Sequence, residues 1–246
     1  MTNTPKLQIT NTPINAKDKI VVALDVPDRD SALALVEKLS GLVGMFKIGK
    51  QLFTAEGPAL VREIIAAGEK VFLDLKYHDI PNTVAGAAQS AAALGVSIFN
   101  IHTLGGSEMM RAAVQATQNL PSRPAVLGVT VLTSMNDASL AEVGIPYKAD
   151  EMVVRLATLA RDAGLNGIVA SAKEIRLIRE KVAGENFIIL TPGIRPAWSA
   201  SGDQKRTATP AQALRDGADF IVIGRAITDG NDPRASAERI LEEIDK

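Results

Sequence analysis

Residues 70–76 read KVFLDLK, and their alternation decides how the rest of the chain is to be read. Side chains two apart in an extended strand point to the same side. Val71, Leu73 and Leu75 therefore share one face, apolar throughout, while Phe72, Asp74 and Lys76 share the other, which turns charged near its end. If helices cover the apolar face, Asp74 and Lys76 point into the mouth of a closed sheet. The same parity groups Val21, Ala23 and Asp25 in IVVALD, and Met45, Lys47 and Gly49 in MFKIG. Four ionisable groups thus aim at one small volume.

Working outward, eight β-rich runs alternate with longer helical patterns from Ile20 onward, the signature of repeated βα units and a parallel sheet. The runs end at Asp25, Gly49, Lys76, His102, Thr133, Ser171, Gly193 and Arg225. Most are nearly continuous in apolar residues, as strands buried on both faces are. The segments between them, such as SALALVEKL and DEMVVRLATLARDAG, repeat apolar residues at three- and four-residue spacing, and Gly68, Gly95, Gly164 and Gly217 stand where helices stop. A doubly wound open sheet would place G-x-G-x-x-G after its first strand, but that strand ends in LDVPDRD. Polar groups fall instead at the ends of many different strands, which is the pattern of a barrel mouth. The expected fold is a single-domain α/β (β/α)₈ TIM barrel over residues 19–246, preceded by a polar arm over residues 1–18.

The length of 246 residues suits one such barrel. Twenty-seven lysines and arginines against 28 aspartates and glutamates leave a net charge of −1, which carries no footprint for nucleic acid or an anionic membrane. Aromatic residues make up 4%, too few for a base-stacking platform. The absence of cysteine excludes disulfides, thiolate metal sites and cysteine nucleophiles, and two histidines leave little for a zinc site. The leader MTNTPKLQITNTPINAKD has no apolar core of a signal peptide, so a cytoplasmic protein is expected.

A salt-bridge cluster plugging the barrel is the plain reading of Asp25, Lys47, Asp74 and Lys76. Buried ion pairs stabilise less than apolar packing does, so lysines at the carboxyl end of a parallel barrel read as working groups. A lysine flanked by carboxylates such as Asp74 and Asp79 is expected to be an ammonium ion, and hence a proton donor rather than a Schiff-base nucleophile. Phosphate commonly binds in the loops after strands seven and eight of these barrels. There the sequence has TPGIRPAWSASGDQKR, with Arg195 and Gln204, and IGRAIT, where Gly224 allows close backbone approach beside Arg225. His78 and His102 lie near strand ends without an assigned role, and Trp198 is expected to pack the phosphate loop.

DLKYHDIPNT, from Asp74 to Thr83, resembles the signature of the orotidine 5′-monophosphate decarboxylase family. VALD with Asp25, FKIGKQLF with Lys47, VTVLTSM with Thr133, TPGIRP with Arg195, GDQKR with Gln204 and VIGR with Arg225 follow in the family's order. The resemblance implies decarboxylation of orotidine 5′-monophosphate to uridine 5′-monophosphate, with no metal or organic cofactor. It implies that Lys76, Asp74, Asp79 and Lys47 are catalytic, that Asp25 and Lys47 contact the ribose, and that Thr133 with Ser134 meets the base. Arg195, Gln204, Gly224 and Arg225 would hold the phosphate; Asp74 and Thr83 complete the substrate contacts. It further implies a homodimer in which Asp79 reaches the partner's site. The D-x-K-x-x-D spacing is shared with magnesium-dependent phosphosugar decarboxylases such as 3-keto-L-gulonate 6-phosphate decarboxylase, and a noncatalytic nucleotide-binding regulator is a further alternative.

Overall fold

The computed structural model describes residues 15–182, 184, 186–199 and 208–245. Eight parallel strands close in sequence order into a barrel: β1 (Ile20–Ala23), β2 (Met45–Gly49), β3 (Val71–Tyr77), β4 (Ile98–His102), β5 (Ala125–Val129), β6 (Gly167–Val169), β7 (Ile188–Thr191) and β8 (Phe220–Ile223). β1 pairs with both β2 and β8, so no sheet edge is left among them. Each of the eight runs read from the sequence coincides with one of these strands, β3 alone extending one residue past its run, to Tyr77. Several strands stop short of the polar residue that ends the run, β1 at Ala23 and β5 at Val129. Pairing continues there as single bonds, Leu24 N–H to the Lys47 carbonyl at 3.0 Å and Thr130 N–H to the Val169 carbonyl at 3.3 Å.

The helices are α1 (Arg29–Leu39), α2 (Lys50–Ala66), α3 (Pro81–Ala93), α4 (Gly106–Thr117), α5 (Asp137–Glu142), α6 (Ala149–Asp162), α7 (Ile175–Lys181), α8 (Pro210–Arg215), α9 (Arg225–Thr228) and α10 (Pro233–Ile244). Their limits follow local chemistry. Asp28 caps α1 by accepting from Ser31 N–H at 2.8 Å, and α2 is broken at Gly57 (φ 65°, ψ −162°), with Pro58 opening its second half. The four stop glycines all adopt positive φ, between 84° and 109°. No helix among the described residues is long and apolar enough to cross a membrane.

Strand parity divides the buried residues into two separate cores. Val21, Ala23, Met45, Phe72, Ile98, Leu127, Ile188, Leu190 and Val222 fill the barrel, while Val22, Leu24, Phe46, Ile48, Val71 and Leu73 pack outward against the helices. The alternation read from KVFLDLK holds through Asp74. At the opposite end of the barrel, a 3₁₀ turn (Ala16–Lys19) lies so close beneath that a Cβ on Gly44 would stand 2.3 Å from the Asp18 carbonyl oxygen. Residues 15–18, grouped with the arm from sequence, thus include most of this turn; residues 1–14 lie outside the described residues.

Phe72 is 1% exposed, in the inner core on the strand that carries Asp74 and Lys76. Phe72→Ala should lower the unfolding free energy by about 3–5 kcal/mol, because the barrel interior cannot collapse around the lost ring. Urea unfolding would show this as a lower midpoint at an unchanged slope.

Candidate active site

Three neighbouring strands bring the charged groups together. Lys47, within β2 and 8% exposed, donates to Asp25 Oδ1 at 3.0 Å and stands 3.6 Å from Asp74 Oδ2. Lys76 Nζ lies 2.6 Å from Asp74 Oδ1. The result is a chain of alternating sign, Asp25, Lys47, Asp74, Lys76, in which Asp74 joins two ammonium groups. Asp74 is well covered, at 13% side-chain exposure, whereas Asp25 is open at 61%. A carboxylate so far out of water needs such partners.

β3 is not regular where it delivers this lysine. Its register against β4 runs Phe72 to Ile98 and Leu73 to Phe99, then shifts so that Tyr77 faces Ile101. Lys76 has φ 52°, a left-handed conformation adopted by no other non-glycine among the described residues. Such a conformation costs a side-chain-bearing residue about 1–3 kcal/mol and persists when its surroundings over-determine it. Here the Lys76 N–H donates to Asn100 Oδ1 at 2.8 Å, and Asn100 Nδ2 donates to Asp74 Oδ1 at 2.7 Å. Asn100 was not singled out from the sequence. Its signal was there: it is the one amide on the inward parity of the apolar strand IFNIH, between Ile98 and His102.

A cavity of about 640 Å³ opens over this cluster, within the range of small-molecule sites. Asp25, Lys47 and Asp74 line one side, and Arg195, Gly224 and Arg225 line another. Lys76 adjoins it through its bond to Asp74. Trp198 is also in the wall, with the Arg239 guanidinium 4.5 Å from its ring centre. Asp229, Gly230 and Ser236 extend the cavity beyond what the sequence indicated. Gln204 lies outside the described residues.

Other expected residues stand away from the cavity wall. Thr133 and Ser134 occupy the turn after β5, closed by Met135 N–H to the Leu132 carbonyl at 2.9 Å. Asp79 is exposed on the connection after β3, where its Oδ1 accepts from Ile80 N–H at 2.7 Å, and it forms no ion pair among the described residues. Thr83 is exposed in the first turn of α3. Asp79 is therefore not part of the Asp74–Lys76 cluster within one chain.

The His78 and His102 imidazoles lie 5.3 Å apart between ring centres, tilted by 36° to one another. Burial pushes the His102 pKa down to about 4, and the positive potential of His78, Lys50 and Lys76 adds to the fall while Asp74 opposes it. His102 is thus neutral near pH 7 and a weak base. Its Nδ1 is buried with no hydrogen-bond partner among the described residues.

Residues 18–240 match the family model described as orotidine 5′-phosphate decarboxylase / HUMPS family. The orotidine 5′-phosphate decarboxylase of Geobacter sulfurreducens is 55% identical over 232 residues, 93% of this chain and 97% of that protein. That of Moorella thermoacetica is 53% identical over 239 residues, 94% of each. The crystal structure of orotidine 5′-phosphate decarboxylase from Lactobacillus acidophilus superposes with a TM-score of 0.81 at 34% identity, covering 92% of this chain and 99% of that one.

The depressed His102 pKa links folding to pH. Between the unfolded value of 6.5 and the folded value of about 4, the unfolded chain binds more protons, so stability should fall as pH drops through this window. An NMR titration should place the His102 midpoint near its acid end. His102→Asn should flatten the dependence of the urea midpoint on pH over the same interval.

Proposed function

The chain belongs to the orotidine 5′-phosphate decarboxylase / HUMPS family and decarboxylates orotidine 5′-monophosphate to uridine 5′-monophosphate in pyrimidine biosynthesis, and on that premise we propose how its residues perform the reaction. The observation that carries the reading is Asp74, held between the Lys47 and Lys76 ammonium groups at one side of a cavity that two arginines line elsewhere. Arg195 and Arg225 grip the phosphate, and Gln204 joins them on the strength of the sequence resemblance alone. A Cβ at Gly224 would make only ordinary contacts, 3.6 Å to Ala23 and 3.8 Å to Asp25, and without one the backbone beside Arg225 leaves room for the phosphate. Asp25 and Lys47 meet the ribose. Thr133 and Ser134, on the turn after β5, approach the base.

Breaking the bond to the carboxylate leaves its electron pair on the ring carbon as carbon dioxide departs. No ordinary electron sink is in reach of that pair. The Lys76 ammonium, oriented by Asp74, stabilises the developing negative charge and then transfers its proton to the same carbon, becoming an amine that solvent reprotonates. Asp25 and Asp74 are already paired with lysines, a donor set suited to charge alignment rather than to holding a divalent cation. Purified protein should consume orotidylate at the same rate with and without EDTA, and Lys76→Ala should abolish turnover. A rate that vanished with EDTA and returned with magnesium would overturn this reading.

The site is shared between two copies of the chain in a cytoplasmic homodimer. Large apolar side chains are exposed beside the C-terminal ends of adjacent strands: Ile80 at 67% after β3, Leu104 at 46% after β4 and Leu132 at 37% after β5. Such a rim is suited to burial against a second copy. Asp79 sits next to Ile80 in it, and Thr83 lies one turn further on, so docking carries both toward the partner's cavity. Lys76→Ala and Asp79→Ala proteins should each be nearly inactive, yet mixing them should restore roughly a quarter of all sites, since half the dimers are mixed and each has one intact site. Continued inactivity after demonstrated subunit exchange would rule out the shared site.

A further inference from the structure

We infer that Asn100 is a positioning residue for the decarboxylation, one buried amide that fixes both the backbone carrying Lys76 and the carboxylate that orients its ammonium group. The inference rests on the reading of Lys76 as proton donor. The two ends of the amide are told apart by their partners: the Lys76 N–H at 2.8 Å can only donate, so it faces Oδ1, and the Asp74 carboxylate at 2.7 Å accepts, so it faces Nδ2. No other neutral side chain of this length supplies an acceptor and a donor pointing to different partners. Leucine has the shape and neither bond, aspartate lacks the donor and repels Asp74, and serine is too short to span both.

Both bonds act on features that would otherwise relax. Lys76 is the one described non-glycine residue with a left-handed backbone, in a strand whose register has just shifted. A strained backbone of this kind holds only if something pins its N–H, and Asn100, 0% exposed between the buried Phe99 and Ile101, does so from a rigid strand. Asp74 Oδ1 receives Lys76 Nζ and Asn100 Nδ2 together, while Oδ2 faces Lys47 at 3.6 Å. The amide thereby sets the plane of the carboxylate. Without it, Asp74 could turn about its terminal torsion toward Lys47, and Lys76 Nζ would follow the oxygen that holds it. Water cannot take over either bond at a position with no exposure. Asn100 does not line the cavity, so its effect reaches the substrate only through Asp74 and Lys76.

Asn100→Leu keeps the branched side-chain shape and removes both bonds. Its kcat should fall about 100-fold, as a misplacement near 1 Å of the donor implies, with KM and the Kd for uridine 5′-monophosphate held within about threefold. Asn100→Asp separates the two roles and keeps the native shape. It retains the acceptor for the Lys76 N–H but sets a carboxylate against Asp74, in a field shared by Asp25 and Lys47 from β1 and β2, Lys76 from β3 and His102 from β4. Its kcat should be lowest in alkali and recover relative to the parent as pH falls, because the introduced carboxyl, once protonated, donates to Asp74 as the amide did. A kcat for Asn100→Leu within threefold of the parent, or a loss of nucleotide binding in parallel with kcat, would overturn the inference. Should Asn100→Leu not fold, Asn100→Asp decides: a kcat equal to the parent's at every pH, or reduced by the same factor at every pH, overturns it. Activity retained by Lys76→Ala would instead remove the premise, which keeps the two failures distinct.

Discussion

Asp74 accepts from Lys76 and from Asn100 on one oxygen and faces Lys47 with the other. Almost everything else at this end of the barrel is arranged around that carboxylate. Its burial would be prohibitive if it were alone, and each partner that offsets the penalty is thereby fixed in place. Lys47 is tied in turn to Asp25, so the constraint spreads across the ends of three strands. Even the left-handed turn at Lys76 fits this logic, since a regular strand would not place its N–H on Asn100 while its side chain returns to Asp74.

The barrel makes such an array possible by keeping its two cores apart. Inside, Val21, Ala23, Met45 and Phe72 form an apolar floor, which lowers the local dielectric and strengthens every interaction above it. Outside, the alternate residues of the same strands anchor the helices. With both faces of each strand committed to packing, polar side chains can collect where the ladders end, and the closed geometry turns eight separate ends toward one mouth.

That mouth is asymmetric. The connections after β7 and β8 present arginines and glycine to the cavity, suited to an anion, whereas those after β3, β4 and β5 present Ile80, Leu104 and Leu132 to solvent. Charge gathers where the proposed phosphate site lies, and apolar surface gathers where a second protein surface can cover it. His102, at the end of β4 on the apolar side beside Leu104 and Leu132, is a neutral ring, its protonation opposed by burial and by the cations around it.

Much of this was legible in the residues alone. Period-two alternation in KVFLDLK separated the core-facing from the helix-facing side chains, the eight apolar runs counted the strands, and the stop glycines at 68, 95, 164 and 217 marked helix ends because a left-handed residue is needed there. The convergence of Asp25, Lys47, Asp74 and Lys76 followed from the same alternation, since strand parity is local geometry and needs no knowledge of partners. What the sequence could not supply was anything that depends on register between strands. The shift between β3 and β4, the left-handed Lys76 and the pairing of Asn100 with both Lys76 and Asp74 arise only once two strands 24 residues apart are laid side by side. A lone asparagine in an apolar strand looks like an imperfection in the pattern until the tertiary structure shows the two groups it joins. Hydrogen bonds between elements are set by distances that no single strand contains.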